Sequence, residues 1–502
     1  MSGRSMDRRD FMKAAGMTTA AGLFSSILRS TWAGPGTDDT FTEIRRPLQV
    51  KPVLVDYQYT RRMDGRSWRA WGGLHDDEDY DREAKRIRKE LKQLSSRADF
   101  PVNFQSLARV HTQDQAKKIR ETDCDLMLLY AASGHRGLYD TLCDTDTPAL
   151  WYVRHKSGPT YLWYEIYHPR FLRRGHDDWQ RDDASVHDVV VDDYSDLMWR
   201  LRAWCGLVNT QESCIVALGG AGGWGMGSKY GPMNGRKIWG LDIKEVPHEA
   251  VTKQMKAIQD DEKAMKKRVD EARAYINADG VEAVETDWKF IKTSFVLRDA
   301  LLNVMKENDA DAVTILGCMG YGRKVGTAPC LAFGLINYAG PMALCESDFA
   351  VVPSGVLLRY ITGTPVFLHN PTLPHDGEMT GAHCTAPRRM NGKDLEPVKI
   401  QTHYESDWGA APKVQFSEGQ EMTSIAPYFS SEKWLGVRSK VLAHPEFDIC
   451  RSQVEMGIEG DCEELLEDMR GFHWMSCYGD YLREVGYLAE RKGIEWENMS
   501  ED

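Results

Sequence analysis

The stretch Ser213-Cys214-Ile215-Val216-Ala217-Leu218-Gly219-Gly220-Ala221-Gly222-Gly223-Trp224-Gly225 runs from five apolar residues into a glycine-rich turn. A short continuous apolar run bounded by glycine predicts a fully buried strand, of the kind found in a parallel sheet covered on both faces. Downstream, Lys237-Ile238-Trp239-Gly240-Leu241-Asp242 reads as the next strand. A long charged helix is expected from His248 to Ala278, another over Trp288 to Asn308, and a further strand at Ala312-Val313-Thr314-Ile315-Leu316. Strands alternating with helices at this pitch predict an α/β layer.

The same rhythm extends toward the N terminus. Strands are expected at Lys51–Tyr57, Asp125–Tyr130 and Pro148–Val153. A helix is expected over Asp79–Ser95, where Ile87, Leu91 and Leu94 share one face. The polar, His-rich stretch from Tyr164 to Asp193 interrupts the pattern as an insertion or a connecting segment. Beyond Glu346 the chain breaks into short segments separated by Pro, Gly, Thr and Asn, and an aromatic helix is expected after His473. The fold class is therefore α/β, with two parallel-sheet α/β domains (48–210 and 211–342) followed by a β-richer C-terminal domain (343–502). No internal repeat is visible.

The first 33 residues are an address. Arg8-Arg9 precedes Phe11, a weakly apolar run extends from Ala14 to Phe24, and Thr31 and Ala33 place small residues where a signal peptidase reads. This resembles a twin-arginine export signal, followed by a linker over 34–47. The twin-arginine translocase would then be a partner during export, and the destination periplasmic or otherwise extracytoplasmic. No later run approaches the 18 apolar residues of a membrane span, so no stable membrane insertion is expected after signal removal.

Composition narrows the classes. The 502 residues are 42% hydrophobic, 27% charged and 10% aromatic, an ordinary folded balance that excludes disorder over most of the chain. Sixty-three Lys and Arg against 75 Asp and Glu give a net charge of −12, which argues against nucleic-acid binding through a broad basic surface. Fifteen Trp and 20 Tyr suit the C–H faces of sugars, although core packing uses the same residues. The 11 cysteines are scattered without a CxxC pair and read as mostly buried thiols.

Gly220-Ala221-Gly222-Gly223-Trp224-Gly225 satisfies G-x-G-x-x-G, with Asp242 about twenty residues on, as in dinucleotide-binding turns. Only about a dozen residues separate it from the expected next strand, and they include Pro232, Asn234 and Gly235. That leaves no room for the crossover helix a dinucleotide site requires, and points instead to a tight turn approaching a sugar or a neighbouring domain.

Chemistry-bearing residues gather in the second half. Glu346 and Asp348 stand two apart in Ala343-Leu344-Cys345-Glu346-Ser347-Asp348-Phe349, on one face if the segment is a strand, or at a helix N terminus capped by Ser347 or Asp348. His369, His375, His383 and His403 fall within about 35 residues, among Asp and Glu side chains. Mixed carboxylate and imidazole donors suit Mn²⁺ or a related divalent cation.

Five segments, in order, resemble the L-fucose isomerase and L-arabinose isomerase-like proteins. They are Leu218–Met226 with Trp239-Gly240-Leu241-Asp242; Gly317-Cys318-Met319-Gly320 with Thr327-Ala328-Pro329-Cys330; Cys345-Glu346-Ser347-Asp348; His383-Cys384-Thr385-Ala386-Pro387; and Phe472-His473-Trp474 through Tyr481. The resemblance covers roughly residues 210 to 497. It implies a metal-dependent aldose–ketose isomerase acting on a small-molecule sugar through a metal-stabilised enediolate, and a trimeric or hexameric homo-oligomer.

The resemblance also implies site residues. Glu346, His383 and His473 would hold one divalent metal, with Asn370 standing where the family has a second acid. Asn can ligate through its carbonyl oxygen but cannot serve as a base. Glu346, Asp348 and Asp376 are then the carboxylates available for proton transfer; Glu378 is a further possibility in the same loop. Trp224, Trp474 and Trp408 are expected as walls for a sugar, and Arg388, Arg389 or Arg359 as contacts to a charged one. A related lyase, epimerase or hydratase, a non-catalytic exported sugar-binding protein, and a nicotinamide oxidoreductase using the Gly220 turn are the alternatives.

Overall fold

Unbroken apolar runs need cover on both faces, and the chain supplies it with parallel strands and crossover helices. The computed structural model describes residues 41–57, 60, 71–164 and 185–500. The expected export signal, linker residues 34–40 and most of the His-rich interruption (165–184) lie outside the described residues. Two compact units emerge, Pro47–Val208 and a larger one containing residues 41–46 and 209–500.

In the smaller unit, β1 (Leu48–Val55) pairs in parallel with β2 (Val102–Phe104), β3 (Ala108–Val110) and β4 (Leu126–Tyr130). β5 (Ala149–Val153) and β6 (Val189–Val191) continue the parallel sheet beyond β4. The helix Asp77–Arg97 buries Ile87, Leu91 and Leu94 as its spacing requires, and Asp76 caps it by accepting from the Asp79 N–H.

The larger unit begins with a second parallel sheet. It contains β7 (Cys214–Leu218), β8 (Asp242–Val246), β10 (Ala312–Ile315) and β11 (Met342–Leu344), in the order β11-β10-β7-β8. Val216, Leu218, Val313 and Ile315 are buried against Val251, Met255, Leu297 and Leu301 of the covering helices. Three local expectations are corrected here. A helix does follow the glycine turn, Gly227–Lys237, and it accommodates Pro232. β8 starts at Asp242 rather than Lys237, because Gly240 adopts a left-handed turn and Trp239 is buried in a stack on Trp434. The long charged helix is two, Glu249–Asp260 and Glu262–Ile276, since Asp261 leaves helical geometry and caps the second.

The C-terminal region is an antiparallel barrel. Around it run β16 (Glu421–Pro427), β19 (Trp474–Tyr478), β12 (Phe367–Pro371), β13 (Glu378–His383), β18 (Ser452–Glu459) and β17 (Lys433–Ala443). Pairing of β16 with β17 closes the ring, and β20 (Glu495–Asn498) adds to β17 in parallel. A smaller sheet joins β9 (Val281–Ala283), β14 (Val398–His403) and β15 (Trp408–Val414). The segment after His473 is thus first a strand, and its helix starts only at Leu482.

Strand alternation sorts the barrel residues. Phe367, Met379, Met422, Val454, Met456 and Trp474 belong to one buried apolar cluster. Among them runs a polar chain, His369 Nε2 to Ser476 Oγ at 2.7 Å and Ser476 Oγ to Ser424 Oγ at 2.7 Å. A Cβ on Gly381 would lie 2.5 Å from the His369 ring, so only glycine leaves that imidazole its place.

Candidate metal centre

Glu346 sits just past the C-terminal end of β11, where parallel sheets present their ligand sites. The segment is neither strand nor helix cap. Cys345–Ser347 is a single tight turn, with Glu346 at φ 61° and Ser347 at φ 54°. Two consecutive non-glycine residues in the left-handed region are strained and persist only when surroundings hold them. Ser347 N–H donates to Thr314 Oγ1 (2.9 Å) and Ser347 Oγ donates to the Gly220 carbonyl (2.8 Å). Gly222 N–H donates to the Ser347 carbonyl, and Phe349 N–H returns a bond to the Gly222 carbonyl.

The glycine turn therefore cradles the Glu346 turn. A Cβ on Gly223 would meet the Gly227 backbone at 2.7 Å and Asp348 Oδ1 at 3.0 Å. The backbone N–H that a dinucleotide motif would offer to phosphate is, at Gly222, already spent on Ser347.

Three side chains from separate segments meet in front of this turn. His383 ends β13, His473 immediately precedes β19, and Glu346 lies between them. His383 Nε2 is 3.6 Å from Glu346 Oε1, and His473 Nε2 is 3.7 Å from Glu346 Oε2. Donor atoms of all three lie within 4.8 Å of one another. Both imidazoles are buried, while the Glu346 side chain keeps 28% exposure. His473 Nδ1 donates to Asp348 Oδ2 at 2.8 Å, and His473 Nε2 is buried with no hydrogen-bond partner. An oriented imidazole whose second nitrogen is orphaned beside a carboxylate is the donor arrangement that a divalent cation satisfies.

The electrostatics agree with that donor set. Burial alone would raise the Glu346 carboxyl, but its pairing with His383 and the field of both imidazoles hold it down at about 2. Burial would lower the His383 imidazole, yet Glu346 and the neighbouring Cys345 push it up to about 9. At neutral pH the metal-free site is an ion pair.

The other expected residues either brace the cluster or lie away from it. Asp348 is buried behind His473 and also accepts from the Ala350 N–H; it positions the imidazole rather than presenting a free carboxylate. Asp376 occupies the hairpin turn before β13, seven residues from His383 and so roughly 20 Å along the strand. Asn370 lies opposite Ala382, and its amide donates to the Phe472 carbonyl at 3.2 Å. Trp474 points into the barrel core with 0% exposure, because strand alternation turns it away from the side occupied by His473. Arg388 is buried, donates to the Glu396 carbonyl and lies over Tyr275. Arg359 and Arg389 are buried too, and Trp408 packs on Phe290.

Trp224 alone of the expected aromatic walls reaches the cluster. Its Nε1–H donates to Glu346 Oε2 at 2.9 Å, and its ring lies 4.4 Å from that of Phe472. Both rings are substantially exposed, 47% and 41%. Of the four clustered histidines, His383 joins the centre, His369 is buried in the barrel, His375 bonds the Leu373 carbonyl and His403 faces Ser406. What the sequence reading missed is a gathering of cysteines behind His383, invisible because its members come from distant segments.

Residues 5–25 match the family of twin-arginine translocation pathway signal sequences. The chain is accordingly exported through the twin-arginine translocase to the periplasm or extracytoplasmic space. No helix among the described residues is long and apolar enough to cross a membrane. No curated protein matches the chain. Among solved structures, a probable maltose operon transcriptional repressor from Staphylococcus aureus is similar at 10% identity, over 61% of this chain and 89% of that one. Its TM-score of 0.14 is too low to bear on fold or function.

Proposed function

We propose that this exported chain is a metal-dependent sugar isomerase-like enzyme that interconverts an aldose and a ketose at Glu346, His383 and His473. The observation that carries the reading is the convergence of these three donors, with the buried His473 Nε2 unpartnered beside Glu346. One carboxylate and two imidazoles suit Mn²⁺ or a related divalent cation. When bound, such a cation polarises a sugar carbonyl as a Lewis acid.

The remaining roles belong to the chain. Glu346 is ionised at neutral pH and is the partly exposed member of the cluster, so it is the carboxylate placed to take the proton next to the carbonyl. Asp348 fixes the orientation of His473. Trp224 and Phe472 form an exposed aromatic wall beside Glu346, suited to the C–H face of a sugar ring. The test is a Mn²⁺-loaded screen of pentoses, deoxyhexoses and uronic acids in deuterated water. Deuterium appearing at the carbon next to the carbonyl, with a ketose product, supports the isomerase; an epimer or a dehydrated product instead assigns the same site to an epimerase or lyase.

Asn370 favours a second reading, a sugar-binding protein without turnover. Its amide is engaged with the Phe472 carbonyl and cannot take up a proton, so Glu346 would have to both bind the cation and move the proton. Saturable sugar binding with no deuterium exchange selects this reading over the enzyme.

A further inference from the structure

Five of the eleven cysteines converge behind His383. Cys318 and Cys330 begin two helices, Cys345 follows β11, Cys384 follows β13 and Cys450 precedes β18. Cys318 and Cys345 bring their sulfurs within 4.8 Å of each other and of a Glu346 oxygen, and Cys450 neighbours Cys384. Cys384 Sγ is also 3.2 Å from Cys330 Sγ. Cys330, Cys384 and the His403 imidazole, all buried, bring one donor each within 4.8 Å of one another. A second buried group, Cys345, Cys384 and His383, shares Cys384.

We propose that Cys330, Cys384 and His403 form a second metal site, distinct from the Glu346 centre, that takes a soft thiolate-preferring d¹⁰ cation, Zn²⁺ or Cu⁺. Buried cysteines often pack as small apolar residues, but that role does not call for an imidazole among them. The His403 ring is oriented by its Nδ1 contact with Ser406 Oγ at 3.2 Å. Two thiolates and a neutral imidazole around Zn²⁺ sum to zero charge, which a buried position favours. Cys345, whose sulfur lies within 4.8 Å of that of Cys384, is placed to supply a fourth donor.

Distances point the same way. Two sulfurs on one tetrahedral zinc stand about 3.8 Å apart, given Zn–S bonds near 2.3 Å. A disulfide requires about 2.05 Å. From 3.2 Å the metal geometry is about half an ångström away and the disulfide more than one. Because the twin-arginine route carries folded proteins, the site can be filled before the thiols meet an oxidising compartment. This proposal does not rest on the isomerase reading.

Co²⁺ serves as the spectroscopic probe on the reduced full-length protein. A tetrahedral spectrum with thiolate-to-cobalt charge transfer is expected at about one Co²⁺ per chain. Cys384→Ser should abolish it, and His403→Gln, which removes a ligand, should weaken Co²⁺ binding by more than the roughly 10- to 100-fold that loss of a supporting contact costs. His473→Gln should leave the thiolate band intact, which separates this site from the Glu346 centre. Displacement by Zn²⁺ or by Cu⁺ held in a competing chelator then identifies the preferred ion. Circular dichroism establishes that the variants are folded, and Cys330→Ser provides an independent second ligand loss. Absence of thiolate charge transfer in the reduced protein overturns the proposal. So does a Cys330–Cys384 disulfide in protein recovered from the exported fraction, or a band lost in His473→Gln but retained in Cys384→Ser.

Discussion

His473 Nδ1 donates to Asp348 Oδ2 at 2.8 Å, with both side chains buried, and this one bond decides which imidazole nitrogen faces Glu346. A carboxylate behind a ligating imidazole fixes its tautomer and raises its basicity. Asp348→Asn keeps the shape but supplies a weaker acceptor. Divalent-cation affinity should fall about 10- to 100-fold by isothermal titration with Mn²⁺, with the fold retained by circular dichroism. Unchanged affinity would show that Asp348 has no part in orienting a ligand.

Proton competition gives the metal-free centre a defined pH response. Pairing with Glu346 holds His383 up at about 9, so at neutral pH a cation must displace the His383 proton. Raising the pH removes that proton, and apparent Mn²⁺ affinity should climb about tenfold per pH unit from pH 7 until about pH 9, then level. Glu346, held near 2, contributes no slope in this window. Titrations in buffers of different ionisation enthalpy should register about one proton released per ion at pH 7. A flat affinity across the window removes His383 from the ligand set.

The glycine turn offers a test of how the site is held. A methyl at Gly223 would press on the Gly227 backbone and Asp348 Oδ1, neither of which yields cheaply. Gly223→Ala should cost about 1–3 kcal/mol in urea unfolding and weaken Mn²⁺ binding by displacing Asp348. Gly320→Ala, in the helix Cys318–Val325 at an ordinary backbone angle and with no heavy atom near its Cβ, is the control for adding a methyl without a clash.

Much of this arrangement was legible in the chain. Apolar runs such as Cys214–Leu218 announce parallel strands because burial on both faces leaves no polar position, and the strand was found there. Paired arginines ahead of Phe11 mark the export signal in a purely local code. Side chains singled out by type but not by face fared differently. Trp474 and His473 are adjacent, yet a strand sends neighbours to opposite sides, and a one-residue uncertainty in where β19 begins reverses the assignment. Asp376 carried the right chemistry, but the hairpin turn places it at the far end of β13 from His383. The thiol cluster left no trace in spacing, since Cys330, Cys384 and His403 meet only after the parallel sheet and the barrel have formed. The helix Gly227–Lys237 was missed because Pro232, Asn234 and Gly235 read as turn signals, whereas packing against the sheet overrides local propensity.

His369 carries the last prediction, one of stability. Its ring is fully buried in the barrel, and burial drives its pKa down to about 3 from an ordinary 6.5. The folded protein therefore keeps this imidazole neutral over a range where the unfolded chain protonates it. Stability contributed by the neutral ring is complete above about pH 6.5 and is lost as the pH falls toward 3. The slope is at most about 1.4 kcal/mol per pH unit. Other groups titrate in the same range, so the measurement is a difference: urea unfolding of the wild type minus His369→Gln, which removes the titrating ring while offering Ser476 an amide. The difference should shrink steadily from pH 6.5 to 4. A constant difference would mean that His369 binds a proton in the folded barrel as readily as in water, which a fully buried ring bonded to Ser476 and crowded against Gly381 gives it no means to do.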